Sequence, residues 1–317
     1  MLDNHSFQPA WGLSNPNLQT IVSSVGRKIM KPAWLDDFVQ RSERRDIHVQ
    51  GQHLTAQYDR SSQIDAALVM IIHGWLGSAD SSYVVATAHA LQRAGYHVAR
   101  LTLRDHGGTA DLNEGLFHSA MTDEVVAAAQ FIMDDFGCST AGLVGFSMGG
   151  NFALRLAKHL PQLHTLAICP AISPQHTVEQ IAGSVIYERY FMGKWQALWR
   201  QKQAAFPHLY DFSAMNQLGS IHTLTEVFIK EHTHFDDLQA YYTAYDLRGD
   251  VLDGVRATIL AAFDDPIIPA RHYDSLPDSI DVNLTKRGGH TAYIKNWRLE
   301  SWVDDYSRAF FSERLNS

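Results

Sequence analysis

Short apolar runs recur along this chain, and longer stretches with helical periodicity separate several of them. Most of the runs are rich in Val, Ile and Leu. Continuous apolar runs of this length are typical of strands that are buried on both faces, as in a parallel sheet. The runs lie at residues 66–72, 97–103, 141–146, 164–170, 257–263 and 281–286.

The stretches between the runs predict helices. Residues 83–94 and 121–136 carry apolar residues at three- and four-residue spacing, and residues 149–160 predict a helix closed by Pro161. Residues 45–58 alternate apolar and polar positions around Gly51, which predicts a β-hairpin. Strands that alternate with helices predict an α/β protein with a mostly parallel sheet and helices on both of its faces.

One interval departs from this alternation. Residues 172–247 contain no convincing strand and are rich in aromatic residues. A long helical stretch between two strands of a sheet predicts a helical lid insertion. The sequence therefore predicts a single domain over residues 1–317, with residues 172–247 as the lid within it.

Composition narrows the class of protein. The 317 residues are 45% hydrophobic and 19% charged, which is ordinary for a globular protein and argues against disorder. The formal net charge is -8 and no Lys/Arg cluster occurs, so nucleic acid is not expected as a partner. The N-terminal segment MLDNHSFQPAWG lacks the features of a signal peptide, and no apolar run approaches the roughly 20 residues of a membrane helix. We expect a cytoplasmic protein without an integral membrane segment, and the sequence leaves its oligomeric state open.

The potential metal ligands do not form a recognisable motif. Cys138 and Cys169 belong to no CxxC pair, and we expect both to be small buried apolar residues. The chain has 17 histidines, but HExxH is absent and no histidine pair at helical spacing has a third ligand nearby. The sequence predicts no metal site.

The stretch LVGFSMGGN, residues 143–151, carries the pattern GxSxG around Ser147. By itself the pattern is weak, because a shuffled chain of this composition would contain it about one time in ten. Here a strand-like run ends at Gly145 and a helix is predicted from near Gly149. That context is typical of a nucleophile elbow, in which a strained turn exposes the serine hydroxyl. The alternative is a glycine-rich turn in which Ser147 only caps a helix.

A serine nucleophile requires a histidine base and a carboxylate that orients it. On this architecture both should follow the serine, in the order Ser, Asp, His, each just beyond a later strand. Asp264 and Asp265 follow the run at 257–263, and His290 follows the run at 281–286. Only one of the two aspartates can face the histidine; we favour Asp265 and keep Asp264 as the alternative. For His290 the alternative is a solvated loop histidine.

Acyl transfer also requires hydrogen-bond donors for the developing oxyanion. The residue after the nucleophile, Met148, offers its backbone N–H at the start of the predicted helix. The loop after the first parallel strand reads HGWLG, residues 73–77, and Trp75 is the candidate for the second N–H. We expect His73 to support this loop rather than to act as a second base.

A further loop at the carboxyl end of a strand contains Arg104, Asp105, His106 and His118. Ligand sites form at such loops in open α/β sheets. Two interpretations stay open. These residues line the substrate pocket, or they form a buried, salt-bridged loop, and the second is favoured.

These residues together resemble the α/β-hydrolase superfamily, and within it the YheT-like esterase branch, which is related to the EMB8-like and abhydrolase-domain proteins. Besides DDPIIP and GGH, the stretches that carry the resemblance are NPNLQT (15–20), HGWLGSADSSYV (73–84), RDHGGTADLNEGLFHS (104–119), GFSMGGN (145–151) and TLTEVFIKEHTHFDDLQAYY (223–242). Asp105 and His106 depart from the small or cysteine residues of the branch, and the lid is only loosely similar.

The resemblance implies an α/β-hydrolase fold and hydrolysis of carboxylic esters through Ser147, Asp265 and His290, without a metal or an organic cofactor. The expected partner is a small-molecule ester with a short to medium acyl chain or a lipid-like structure. Two alternatives remain. One is a thioesterase or acyltransferase that uses the same triad, and the other is a non-catalytic ligand-binding protein on a hydrolase scaffold.

Overall fold

The computed structural model describes residues 7–315. The first six residues of the segment that argues against a signal peptide lie outside this range. Within it the chain forms one sheet of eight strands in the order β1-β2-β4-β3-β5-β6-β7-β8. The strands are β1 Glu43–Val49, β2 Gln52–Asp59, β3 Leu68–Ile72, β4 His97–Thr102, β5 Ala141–Phe146, β6 Leu163–Ile168, β7 Ala257–Ala262 and β8 Ile280–Thr285.

The sheet is mostly parallel, as predicted. The strands β3 to β8 pair in parallel, whereas β1 and β2 form an antiparallel hairpin whose second strand runs antiparallel to β4. Residues of β3, β4 and β5 are buried throughout. Because the central strands have no solvent-facing side, their sequences read as continuous apolar runs. The α/β-hydrolase fold class is thus confirmed.

Helices cover both faces of the sheet. They are α1 Pro16–Ile21, α2 Arg27–Ile29, α3 Leu35–Arg41, α4 Ser82–Arg93, α5 Thr122–Asp135, α6 Met148–His159, α7 Pro174–Ala182, α8 Val185–Ala205, α9 Ile221–His232, α10 Leu238–Thr243 and α11 Trp302–Leu315. Helices α5 and α6 pack on one face and α4 and α11 on the other. The predicted helices at 83–94, 121–136 and 149–160 correspond to α4, α5 and α6. Helices α1 to α3 and α11 were not predicted.

Side chains of β3 show how one strand serves both faces. Met70 and Ile72 belong to the core under α5 and α6, whereas Val69 and Ile71 belong to the core under α4 and α11. Successive side chains on a strand point to opposite faces. Strand β3 therefore needs apolar residues at consecutive positions.

The chain between β6 and β7 is helical, from α7 to α10, and contains no strand. Aromatic residues of these helices pack in a core that they share with the sheet, and Trp199 stacks there on Phe212 and Phe228 with ring centroids 5.5 and 5.8 Å apart. The single-domain boundaries 1–317 and the function of residues 172–247 as a lid stay predictions.

No helix in the described part of the chain is long and apolar enough to cross a membrane.

Candidate active site

Ser147 lies in the turn between β5 and α6, and its backbone has φ +55° and ψ −115°. A non-glycine residue at positive φ is strained, and such strain is found at functional turns. Glycines on both sides make the turn possible. A Cβ on Gly145 would lie 2.1 Å from the carbonyl oxygen of Gly149, and a Cβ on Gly149 would lie 2.4 Å from the carbonyl oxygens of Ile72 and His73. The GxSxG pattern therefore reflects a steric requirement at this turn.

His290 connects the serine to a carboxylate. Its Nε2 lies 2.9 Å from Ser147 Oγ, and its Nδ1 lies 2.9 Å from Asp265 Oδ2. Both distances are within hydrogen-bond range. The three residues come from loops after β5, β7 and β8, whose carboxyl ends meet at one edge of the parallel sheet. The structure brings together the three residues that the sequence predicts as a triad.

The two adjacent aspartates have different partners. The carboxylate of Asp265 accepts hydrogen bonds at Oδ1 from the backbone N–H groups of Ile267 and Ile268, at 2.8 and 3.0 Å. These bonds direct its other oxygen toward His290. The carboxylate of Asp264 instead accepts from the backbone N–H of Gly289 at 3.0 Å, and burial raises its pKa. Asp264 thus supports the histidine loop, and Asp265 faces the imidazole.

The N-terminal helix α1 holds the histidine loop in place, a function that sequence reasoning did not assign to it. Thr20 Oγ1 accepts a hydrogen bond from the backbone N–H of His290 at 2.9 Å and donates to Pro16 O at 2.8 Å. A Cβ on Gly289 would lie 2.8 Å from that hydroxyl, so the close approach requires glycine. The fully buried Gln19 bonds to the backbone of Leu13 and Ile294. The stretch NPNLQT is the signal that marks this contact in the sequence.

The two predicted oxyanion residues lie beside the serine. Trp75 and Met148 both line the same cavity as Ser147. Within the described residues, neither backbone N–H has a hydrogen-bond partner. The Trp75 loop packs closely on the turn, because a Cβ on Gly74 would lie 3.4 Å from Ser147 Cβ. Both amides are therefore available to a ligand in this cavity.

His73 supports the loop before Trp75. Its ring is fully buried; Nε2 accepts from the backbone N–H of Leu103 at 3.1 Å, and Nδ1 lies 2.7 Å from the carbonyl oxygen of Gly74. Burial lowers the pKa of His73 to about 3, so the ring stays neutral. With both nitrogens bonded to the backbone, this imidazole positions the loop.

Three side chains in the site carry atoms of the kinds that bind metal ions, namely a thiol sulfur, a carboxylate oxygen and an imidazole nitrogen. Single ligand atoms of Cys169, Asp265 and His290 lie within 4.8 Å of one another. However, the carboxylate and the imidazole already bond to each other, and burial raises the pKa of Cys169 well above its usual value. A metal ligand must be a thiolate. The donor set therefore fits a triad with a buried protonated thiol better than a metal site.

The loop after β4 contains two buried ion pairs. Asp105, at φ +62°, pairs with the fully buried Lys202 of α8 at 2.9 Å, and Arg104 pairs with Glu124 of α5. His106 is also buried, and burial lowers its pKa to about 4. These contacts match the buried, salt-bridged interpretation of the loop. His118 differs, because it lines the cavity.

The cavity above Ser147 has a volume of about 360 Å³. Its walls come from α1, the Trp75 loop, the loop after β4, and helices α7 to α10. The Trp75 indole stacks on Phe191 and makes an edge contact with Trp195, with ring centroids 5.3 and 5.1 Å apart. The walls are therefore largely apolar and aromatic, as is usual for small-molecule sites.

Comparisons with known proteins agree with this architecture. Residues 67–187 match a family model described as alpha/beta hydrolase fold. The chain is 26% identical over 336 residues to "Putative esterase YheT" of Escherichia coli (strain K12), and the match covers 96% of this chain and 94% of that protein. A stretch of 101 residues is 33% identical to a thermostable monoacylglycerol lipase of Bacillus sp. (strain H-257); it covers 30% of this chain and 36% of the lipase.

A solved structure gives the same fold. The serine hydrolase from the polyaromatic hydrocarbon-degrading bacterium Cycloclasticus zankles superposes with a TM-score of 0.58 at 15% sequence identity. The match covers 87% of this chain and 100% of that chain. At this identity the likeness concerns the fold alone.

Proposed function

Because the chain is an α/β-hydrolase of the YheT-like branch, we propose that it is a carboxylesterase-type serine hydrolase that acts through Ser147, His290 and Asp265. The observation that carries the proposal is the imidazole of His290, which lies 2.9 Å from both the serine hydroxyl and the aspartate. A serine hydroxyl is a weak nucleophile at neutral pH and needs such a base.

In the first step, Ser147 Oγ attacks the ester carbonyl carbon while His290 Nε2 takes the hydroxyl proton. Asp265 Oδ2 accepts the Nδ1–H hydrogen bond, which fixes the tautomer and stabilises the imidazolium. The oxyanion of the tetrahedral intermediate accepts hydrogen bonds from the backbone N–H groups of Trp75 and Met148. One such donor typically contributes about 3–4 kcal/mol to catalysis.

The intermediate then collapses. His290 gives its proton to the leaving alkoxide, the alcohol departs, and an acyl-enzyme remains on Ser147. A water molecule attacks the acyl carbon with His290 as the base, and the acid is released with the serine regenerated. The steps need no metal ion and no organic cofactor.

The walls of the cavity support an apolar acyl or alcohol group. Trp75, Phe191 and Trp195 present aromatic surface close to Ser147, and no Asp or Glu among the described residues lines the cavity. Burial of apolar surface contributes about 25 cal/mol per Å². We therefore propose short to medium acyl esters or lipid-like esters as substrates.

A graded series of p-nitrophenyl esters, together with a fluorophosphonate probe, tests this function. The wild-type protein should hydrolyse the esters and be labelled at Ser147, whereas Ser147→Ala should do neither. A matched control is Ser312→Ala, an exposed position on α11 that should retain turnover. Absence of both turnover and labelling in the wild type contradicts the proposal.

The same preparation separates the alternatives. Faster turnover of acyl-CoA thioesters than of oxygen esters with the same acyl chain would indicate a thioesterase. Transfer of the acyl group to an added alcohol in preference to water would indicate an acyltransferase. Ligand binding that is unchanged in Ser147→Ala, without labelling of the wild type, would indicate a non-catalytic binding protein.

A further inference from the structure

One part of the cavity wall is polar, although the rest is apolar. We use the name polar wall for His118, Tyr241 and Tyr242, which all line the cavity. The ring of Tyr241 contacts both of the others, with its centroid 6.2 Å from that of His118 and 5.6 Å from that of Tyr242. The three side chains therefore form one continuous surface.

Two of these side chains carry polar atoms without partners. His118 is only 8% exposed, and within the described residues its buried Nδ1 has no hydrogen-bond partner. Tyr242 is 5% exposed, and its buried hydroxyl has no partner either. Buried polar groups in folded proteins are nearly always hydrogen-bonded, because an unsatisfied group loses its hydration without compensation. Two such groups on one cavity wall point to a ligand that satisfies them.

The polar wall lies next to the reacting centre. The hydroxyl of Tyr241 accepts a hydrogen bond from the backbone N–H of Ser119 at 3.2 Å. Ser119 Oγ in turn lies 3.4 Å from Sδ of Met148, the residue after Ser147. A ligand group on this wall would therefore be close to the scissile ester bond.

The charge of the polar wall indicates which chemical group of a ligand it would bind. Burial, assisted by the nearby His234, lowers the pKa of His118 to about 4, so its imidazole is neutral at pH 7 and offers one donor and one acceptor. A tyrosine hydroxyl also donates and accepts. No carboxylate faces this wall from the described lining residues, and the lining cation, Lys194, bonds to the carbonyl oxygen of Leu76. A neutral hydroxyl group matches this surface better than an ion does.

We propose that the polar wall is a subsite for a hydroxyl group that the substrate carries near its ester bond, so that the preferred substrates are hydroxylated esters. The inference rests on the proposed ester hydrolysis at Ser147. The hydroxyl group has two chemical sources, the alcohol part of the ester, as in a glycerol or 2-hydroxypropyl ester, and the acyl part, as in a 3-hydroxyacyl ester.

The test compares kcat/KM for matched esters. For one acyl chain, the n-propyl, 2-hydroxypropyl and glycerol esters are compared, and the n-propyl ester of the corresponding 3-hydroxy acid is added. The quantity of interest is the ratio of kcat/KM for a hydroxylated ester to that for the plain n-propyl ester. Ratios are measured for the wild type, His118→Phe and Tyr242→Phe, so the inference does not depend on one variant folding.

Two control variants remove the same groups elsewhere. His222→Phe changes an exposed histidine on α9, and Tyr58→Phe removes a buried tyrosine hydroxyl that does not line the cavity. We expect the wild type to prefer at least one hydroxylated ester. His118→Phe and Tyr242→Phe should each lower that ratio about three- to tenfold, the contribution of one hydrogen bond, and both controls should keep it.

The outcomes are distinguishable. A ratio of one in the wild type, or a ratio unchanged in both His118→Phe and Tyr242→Phe, with the plain ester still hydrolysed, overturns the subsite and leaves the esterase function intact. Absence of turnover for every ester, with no fluorophosphonate labelling of Ser147, overturns the proposed function and the subsite with it. The arm that shows the preference identifies the alcohol or the acyl part as the source of the hydroxyl.

Discussion

Replacement of Lys202 by Met should destabilise the protein by removing the centre of a buried polar cluster. The ammonium of Lys202 lies on α8 and contacts three oxygens: Asp105 Oδ1 at 2.9 Å, the carbonyl oxygen of Gly115 at 3.0 Å, and that of Asn113. Both charged side chains are fully buried. Asp105 Oδ2 accepts from the backbone N–H of Phe117 at 2.8 Å, so the cluster also fixes the loop that leads to His118.

The magnitude follows from the geometry. Two unit charges 2.9 Å apart attract by about 6 kcal/mol at an effective dielectric constant of about 20. Desolvation of both charges offsets much of this attraction. Burial raises the pKa of Asp105 and lowers that of Lys202, because desolvation disfavours the charged form of each side chain. Removal of one partner leaves the other charge buried and unpaired, so Lys202→Met should lower the free energy of unfolding by about 3–5 kcal/mol.

Urea unfolding followed by circular dichroism measures this change in a double-mutant cycle. The set comprises Lys202→Met, Asp105→Asn and the double variant, with Lys230→Met on the exposed side of α9 as the control. The double variant should lose less stability than the sum of the two single variants, because it contains no unpaired buried charge. A loss below about 1 kcal/mol for Lys202→Met, or additivity in the cycle, would refute the reasoning.

Three further predictions follow from the active-site turn, the triad and the buried histidines. Gly149→Ala should abolish ester turnover and destabilise the fold by about 1–3 kcal/mol or more, because its Cβ would lie 2.4 Å from two backbone oxygens. The control is Gly193→Ala on α8, where nothing lies within 4 Å of the added Cβ. This variant should stabilise the protein by about 0.5–1 kcal/mol, and thermal melts of the two variants measure the difference. Asp265→Asn should lower kcat about 10³–10⁴-fold, whereas Asp264→Asn should lower kcat much less, because only Asp265 bonds to His290. Equal losses of kcat for the two variants in a steady-state ester assay would contradict this assignment. The pKa of His73 is about 3 in the folded protein and about 6.5 in the unfolded chain, so between these pH values only the unfolded chain binds a proton at this residue. The free energy of unfolding should therefore fall by about 1.4 kcal/mol per pH unit for this group as the pH drops below about 6.5. An unchanged urea midpoint from pH 7 to pH 5 would contradict this prediction.

Features that depend on a few neighbouring residues were predictable. Continuous apolar runs marked β3 to β7 because strands covered on both faces admit few polar side chains. The GxSxG pattern marked the turn because its two outer positions have no room for a Cβ. The chain order of serine, aspartate and histidine located the loops at one edge of the sheet, since carboxyl ends of parallel strands meet there.

Helices α1 and α2 were not predicted because both are short. Helix α1 has six residues and α2 has three, which is too short for a clear amphipathic period. Helix α1 packs against the histidine loop through Thr20, and α2 bonds to Leu299 through Arg27; these tertiary contacts account for their place in the fold. In the sequence, the stretch NPNLQT marked this region through the family resemblance, but it predicted neither a helix nor a contact with the histidine loop.

By itself, the sequence determined the sheet, the turn at Ser147 and the three loops that carry the candidate triad, because these follow from local sterics and from the burial of strands. Tertiary structure alone decided which aspartate faces His290, that Thr20 holds the loop from 270 residues away, and that His118 faces the cavity without a partner. Those features depend on the direction of single side chains and on contacts between distant segments. Neither periodicity nor spacing encodes them, since both describe only the order of residues along the chain.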